Sequence, residues 1–270
     1  MELLKSGQGK VFLVGAGPGD PELITLKAAR ILRQAEVVVY DRLVHPALLE
    51  MAPSAERISV AKKGGHYSFP QERIHQLLVH KAKQGLQVVR LKGGDPFLFG
   101  RGGEEALYLL EQGVPFEVVP GVSSALAAPA SAGIPATHRG VASSVAFVTG
   151  HQASTASDLV DWGALATAVD TLVVLMPVKN LRWIVSQLVL HGRSLDTPAA
   201  MIQWGTREEQ KQVFSDLKDI VSAAHRESIQ SPAVLVIGRV VEIGQQLIDH
   251  LGSTRSAGAL LPQNSIEQMA

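Results

Sequence analysis

Cysteine is absent from this 270-residue chain. Disulfides and thiolate metal sites are therefore excluded, which fits a reducing compartment. An excess of either charge is also missing: 25 Lys+Arg stand against 25 Asp+Glu. No global basic field points to nucleic acid, and any anion site must be a local cluster. No apolar run approaches the ~20 residues a membrane-spanning helix needs, and the opening MELLKSGQGK lacks the long apolar stretch of a signal peptide. These absences lead to the expectation of a soluble, cytoplasmic protein with no membrane and no nucleic-acid partner.

Apolar residues make up 46% of the chain and charged residues 19%, enough for a sizeable core and against wholesale disorder. The length suits one large domain or two α/β domains of ordinary size. The first apolar run, Val11–Val14, is short and β-branched and ends in Gly15-Ala16-Gly17-Pro18-Gly19-Asp20-Pro21. A helix is expected from Pro21 to about Gln34, capped by Asp20, with Leu23, Leu26 and Ile31 on its buried stripe. Val37–Tyr40 reads as the next strand and ends at Asp41, so the chain starts strand–loop–helix–strand and the sheet should be parallel. A weaker strand is expected at Arg57–Val60, a helix at Gln71–Gln84, a strand at Gln87–Leu91, a helix from about Gly103 and a strand at Phe116–Val119. Beyond these come a small-residue helix at Ser123–Ala132 and strands at Val145–Thr149, Thr171–Leu175, Ala199–Gln203 and Ala233–Ile237. Leu181–His191 and Phe214–Ala224 read as helices between some of them. The expected division is an N-terminal α/β domain over residues 1–119, a C-terminal α/β domain over 120–251, and a flexible tail over 252–270, rich in Ser, Gly, Gln and Asn.

Gly15-x-Gly17-x-Gly19 after a strand and before a helix aims backbone N–H groups at a ligand. A dinucleotide fold wants G-x-G-x-x-G, and here the sixth position is Asp20. Asp41 stands where a ribose-binding acid would, so a nicotinamide-dependent enzyme is a rival on this segment, as is a tight turn with no ligand. The second loop, Lys92 to Glu105 (KGGDPFLFGRGGEE), is too long and too decorated for a connector. Its glycines admit close backbone approach, and Asp95 can accept from a hydroxyl or an ammonium. A third glycine turn, Pro120-Gly121-Val122-Ser123-Ser124, follows another strand. Three such loops at strand ends describe a crevice site for a small ligand in an open α/β sheet.

Five segments in order carry a resemblance: VGAGPGDPELITLKA at Val14–Ala28, YDRLV at Tyr40–Val44, LKGGDPFLFGRGGEE at Leu91–Glu105, VPGVSSA at Val119–Ala125 and GIPATHR at Gly133–Arg139. Together they resemble the tetrapyrrole methylases, from about Lys10 to about Leu251. The resemblance implies two α/β domains with the active site in the cleft between them, a homodimer, and S-adenosyl-L-methionine as methyl donor. The implied activity is C-methylation of uroporphyrinogen III, two successive transfers giving precorrin-2 by way of precorrin-1, at the entry to sirohaem- and cobalamin-type tetrapyrroles. A stand-alone enzyme is expected. Later corrin-pathway methylases of the same fold, relatives acting on other targets, and a non-catalytic ligand-binding regulator are the alternatives.

The resemblance also implies residue roles. Pro18, Gly93, Gly94, Asp95, Leu98, Ser123, Ser124, Met176 and Gly205 match positions that hold the methyl donor. Ser123 and Ser124 fall where the family has Thr-Ala, a departure that keeps a hydroxyl at the first position. Asp41 and Lys62 match a proton acceptor and a proton donor, with Lys63 an alternative to Lys62. Arg101 matches a catalytic or substrate-side position, and Glu104, Arg139 and Met176 match substrate-side positions. An arginine base needs a very large pKa depression, so Arg101 reads first as a carboxylate clamp. The same segments supply Arg42, Lys62, Lys63, His66, Arg101, His138, Arg139 and His151, a local cationic set suited to a macrocycle rimmed with carboxylates. His138 and His151 have no third partner at metal-ligand spacing, so no metal is expected.

Overall fold

The computed structural model describes residues 9–60, 70–151 and 160–256, with side chains up to residue 250. Two five-stranded sheets organise them. The first contains β1 (Lys10–Gly15), β2 (Val37–Tyr40), β3 (Glu56–Ser59), β4 (Gln87–Lys92) and β5 (Phe116–Val119) in the order β3-β2-β4-β1-β5. All its neighbours pair in parallel. The helices that follow are α1 (Leu26–Arg33), α2 (Pro46–Leu49), α3 (Gln71–Lys83) and α4 (Gly102–Glu111).

Strand alternation explains how both faces of this sheet are covered. Val11, Leu13, Val37, Val39 and Val88 pack with Ile74 and Leu78 of α3 and with Ala106 and Leu109 of α4. Val14, Val38, Val89 and Leu91 point the other way, onto Ala28, Ile31 and Leu32 of α1 and Leu48 of α2. Strands buried on both faces read as near-continuous apolar runs, which is why VFLV and VVVY are legible as parallel strands.

The second sheet contains β6 (Val145–Thr149), β7 (Thr171–Leu175), β8 (Pro198–Gln203), β9 (Lys211–Asp216) and β10 (Ala233–Ile237) in the order β6-β7-β10-β8-β9, with β6 and β7 parallel. Its helices are α6 (Trp162–Ala168), α7 (Leu181–Leu190), α8 (Ile220–Arg226) and α9 (Val240–Ser256), and α5 (Ser124–Ser131) links the two halves of the sequence. Trp162 and Trp183 meet edge to face at 5.8 Å and join α6 to α7, a packing role. The chain forms two compact units. One comprises Met1–Ala128 with Gln203–Lys211 and Ser231–Val234, and the other Pro129–Ile202, Gln212–Gln230 and Leu235–Ala270, as far as these spans are described.

Several local expectations fail. The helix expected over Pro21–Gln34 is a single turn at Pro21–Leu23, capped by Asp20, followed by an extended break at Ile24 and Thr25. Thr25 Oγ1 accepts from Ala28 N at 3.2 Å and so starts α1 afresh. Leu26 is then 91% exposed, not part of a buried stripe. Phe214–Ala224 is not one helix: Phe214 lies in β9, and α8 begins only at Ile220. The helix α9 runs to Ser256, past the start of the expected tail; residues 257–270 lie outside the described residues. Among the described residues no helix is long and apolar enough to cross a membrane.

Candidate active site

The three glycine loops leave the ends of β4, β1 and β5, which are neighbours in the first sheet. Ala16 N donates to Lys92 O at 2.7 Å, and Gly17 and Gly94 exchange backbone hydrogen bonds of 3.2 and 2.7 Å. This contact leaves no room for side chains. A Cβ on Gly15 would lie 2.5 Å from Gly121 Cα, and one on Gly121 would lie 2.7 Å from Gly15 Cα. Gly94 adds a left-handed φ of +69° that glycine tolerates without cost. Asp95 fastens the arrangement. Its Oδ1 accepts from Phe97 N at 2.8 Å and Leu98 N at 3.2 Å, while Oδ2 accepts from Gly121 N at 3.0 Å. The expected ligand acceptor is therefore first a staple between two loops. Ser123 Oγ likewise accepts from Ala125 N at 3.1 Å and caps α5. Ser124 is half-buried beside it.

A turn from residues 203–211 belongs to the same unit and packs on the first loop. Thr206 Oγ1 accepts from Asp20 N at 3.1 Å. Arg207 lies over the Trp204 ring at 4.6 Å and donates to Leu43 O at 2.7 Å. Trp204 and Thr206 both take left-handed φ values, 50° and 72°, on either side of half-buried Gly205. Non-glycine residues held this way mark a backbone over-determined by its surroundings. Pro18 and Leu98 are half-buried on the neighbouring loops, and Gly93 sits where a Cβ would touch Leu43 Cβ at 3.2 Å.

Asp41 ends β2 on a chain of buried charges that the sequence reading did not find. Arg90 Nη2 donates to Asp41 Oδ1 at 2.5 Å, and its Nε donates to Glu105 Oε1 at 3.1 Å. Lys92 Nζ and Gln71 Nε2 reach the same Glu105 oxygen at 2.9 and 3.1 Å. Glu105 is fully buried, and its Oε2 has no partner among the described residues. Burial pushes the Lys92 ammonium below its ordinary value; Arg90 adds to this, and Glu105 and Asp41 oppose it. His75 stacks on Tyr108 at 5.0 Å, and its pKa is lowered by burial, against the pull of Glu105 and Glu104.

Arg101 occupies the turn before α4 with a left-handed φ of 59° and binds Glu104 through two bonds of 2.8 and 2.6 Å. The hydrogen bond to Glu104 raises its pKa further, and the bonded Glu104 carboxyl is lowered in turn. A guanidinium held charged in this way is a poor base, which favours the carboxylate-clamp reading. In the other unit, Met176 is about half exposed at a left-handed φ of 56°. Arg139 is exposed in a tight turn closed by the His138–Ala142 backbone pairing. Lys62, Lys63 and His66 lie outside the described residues. Among the described residues no cluster of three His, Asp or Glu side chains is placed to hold a metal.

A doubly wound α/β unit with three interlocked glycine loops at its strand ends, joined to a second α/β unit, is the class of protein this geometry defines: one that grips a small ligand by its own backbone. The chain belongs to the family described as Tetrapyrrole (Corrin/Porphyrin) Methylases, whose model matches residues 10–221. It is 50% identical over 234 residues to a uroporphyrinogen-III C-methyltransferase of Priestia megaterium, covering 86% of this chain and 98% of that one. An S-adenosyl-L-methionine-dependent uroporphyrinogen III methyltransferase of Methanosarcina barkeri is 49% identical over 255 residues, or 94% and 98% of the two chains. Among solved structures, uroporphyrin-III C-methyl transferase of Thermus thermophilus, complexed with S-adenyl homocysteine, matches with a TM-score of 0.75 at 44% identity. The match covers 87% of this chain and 100% of that one.

Proposed function

We propose that the chain catalyses the S-adenosylmethionine-dependent C-methylation of uroporphyrinogen III, in two successive transfers that give precorrin-2, as a cytoplasmic homodimer. One observation carries the substrate class. The loops that form the glycine contact expose Phe97 (57%), Phe99 (41%) and Val122 (36%) with Arg101, and the loop after β2 exposes Leu43 (38%) with Arg42. Exposed apolar side chains interleaved with guanidinium groups suit a flat macrocycle rimmed with carboxylates. The names of the relatives support the same substrate and methyl donor.

S-adenosylmethionine, when bound, supplies a methyl already activated on a sulfonium. The methyl–sulfur bond breaks, sulfur keeps the electron pair, and a carbon–carbon bond forms to an electron-rich pyrrole carbon. The protein's task is alignment, which is worth about 7–11 kcal/mol of barrier when reactants are well oriented. Rigid backbone is the means: Pro18, Gly93, Gly94, Asp95, Leu98, Ser123, Ser124, Met176 and Gly205 are the residues we assign to the methyl donor. Arg101, Glu104, Arg139 and Met176 are assigned to the tetrapyrrole. After transfer a proton must leave the macrocycle, and Asp41 is the acceptor we assign. Its Oδ1 is held by Arg90, while Oδ2 has no partner among the described residues. Lys62 is the assigned proton donor.

Anaerobic incubation of the purified chain with uroporphyrinogen III and S-adenosylmethionine should add one and then two methyl masses to the tetrapyrrole. Light scattering on the same sample should give twice the 28.8 kDa chain mass. An unchanged tetrapyrrole mass would reject the activity.

A further inference from the structure

β4 places two cations where the fold needs none. Val88, Arg90 and Lys92 alternate onto the same face of the first sheet, and Val88 there is ordinary core. The Arg90 and Lys92 side chains are each 3% exposed. Buried cations are costly unless paired and hydrogen-bonded. Two carboxylates meet them: Glu105 from α4, with no exposure, and Asp41 from the end of β2, 34% exposed. Apolar side chains at positions 90, 92 and 105 would satisfy packing alone, so the cluster has another use.

Its geometry shows which. The Arg90 guanidinium is held on several sides. Nε donates to Glu105, and Nη1 lies 3.4 and 3.5 Å from the backbone carbonyls of Val39 and Leu91. Only Nη2 is left, and it ends on Asp41 Oδ1. The lysine and Gln71 hold Glu105 in turn. Of the charged residues in this cluster only Asp41 opens to solvent, at the strand end that leads into the YDRLV loop. We propose that Arg90, fixed by Glu105, is a positioning residue: it immobilises one oxygen of Asp41 so that the other is presented to the reacting tetrapyrrole. This rests on Asp41 being the proton acceptor.

The test is a double-mutant cycle on kcat, with KM for uroporphyrinogen III and calorimetric affinity for S-adenosylhomocysteine measured alongside. Arg90→Met should lower kcat about 10- to 100-fold, the loss that small misplacement of a reacting group brings, and leave KM and S-adenosylhomocysteine affinity near wild type. In an Asp41→Asn background the same substitution should cost nothing further, because its effect runs through Asp41. Arg90→Lys keeps the charge beside Glu105 but cannot span both carboxylates. It should show the same kcat loss, and it serves as the test if Arg90→Met does not fold. A full further loss in the Asp41→Asn background, or a parallel loss of S-adenosylhomocysteine affinity, makes Arg90 merely structural and overturns the proposal. So does an unchanged kcat in both Arg90 variants. Asp41→Asn with normal kcat instead overturns the acceptor assignment on which it rests.

Discussion

Arg101 shows how much one side chain's surroundings decide about its chemistry. In the sequence it is open to two roles, base or clamp. In the structure its two bonds to Glu104 raise the guanidinium pKa, and a base must do the opposite. Both partners are about half exposed, so the pair itself adds little to stability, about 0–1 kcal/mol. A substrate carboxylate can displace Glu104 at small cost. Arg101→Ala should therefore raise KM for uroporphyrinogen III, with kcat/KM down about 10- to 100-fold, the worth of a charge-assisted hydrogen bond of ~1.5–3 kcal/mol. S-adenosylhomocysteine affinity should stay unchanged. Arg101→Gly relieves the left-handed φ of 59° and still loses the guanidinium. It should melt no lower than Arg101→Ala and be equally impaired. Near-normal steady-state kinetics in both variants rejects the clamp.

At the scale of elements, the glycine contact separates what is tight from what is only permitted. A Cβ at position 121 meets backbone of Gly15 and Gly94, which cannot rotate away as a side chain would. Gly121→Ala must spread the loops, so it should destabilise by about 1–3 kcal/mol and weaken S-adenosylhomocysteine binding in calorimetry. Gly103→Ala is the control. A Cβ there finds nothing within 4 Å, and the residue is helical in α4; it should be neutral or stabilise by up to about 1 kcal/mol. Equal binding losses in the two variants would sink the argument. The three glycine loops were legible because glycine and proline clusters after β-branched runs are local signals. The elements that were misread lacked such signals. β9 buries Val213 while Lys211 and Gln212 lie exposed. With so little alternation there, the sequence pattern of Leu217, Ile220, Val221 and Ala224 fits a helix that starts earlier than the observed Ile220. The Ile24–Thr25 break hid for the opposite reason: Leu23, Leu26 and Ile31 fit a helical stripe, and only the Thr25 cap shows where the helix starts.

The buried cluster belongs to the whole molecule, and no local signal announces it. Gln71, Arg90 and Glu105 come from three elements, and Asp41 from the loop after a fourth. In QVVRLK nothing marks the arginine as buried until α3 and α4 cover that face. The cluster also reaches global stability through His75. Burial holds its pKa below 6.5, with Glu105 and Glu104 pulling it up and Arg101 and Lys92 pressing it down. The unfolded chain therefore binds this proton first as pH falls. Stability is fully present above the unfolded value of about 6.5, declines as pH drops through that value, and stops declining from this source below the folded pKa. Glu104 and Glu117 are both depressed below the ordinary 4.5, so their contributions fade only in more acid solution. The window from pH 7.5 to 5.5 thus tests His75. Urea unfolding across it should show wild-type stability falling more steeply than that of His75→Gln, which keeps a polar side chain beside Gln71 but has no proton to take up. Parallel slopes for the two proteins would mean that His75 titrates alike in both states, and that water solvates its ring in the folded protein as it does in the unfolded chain.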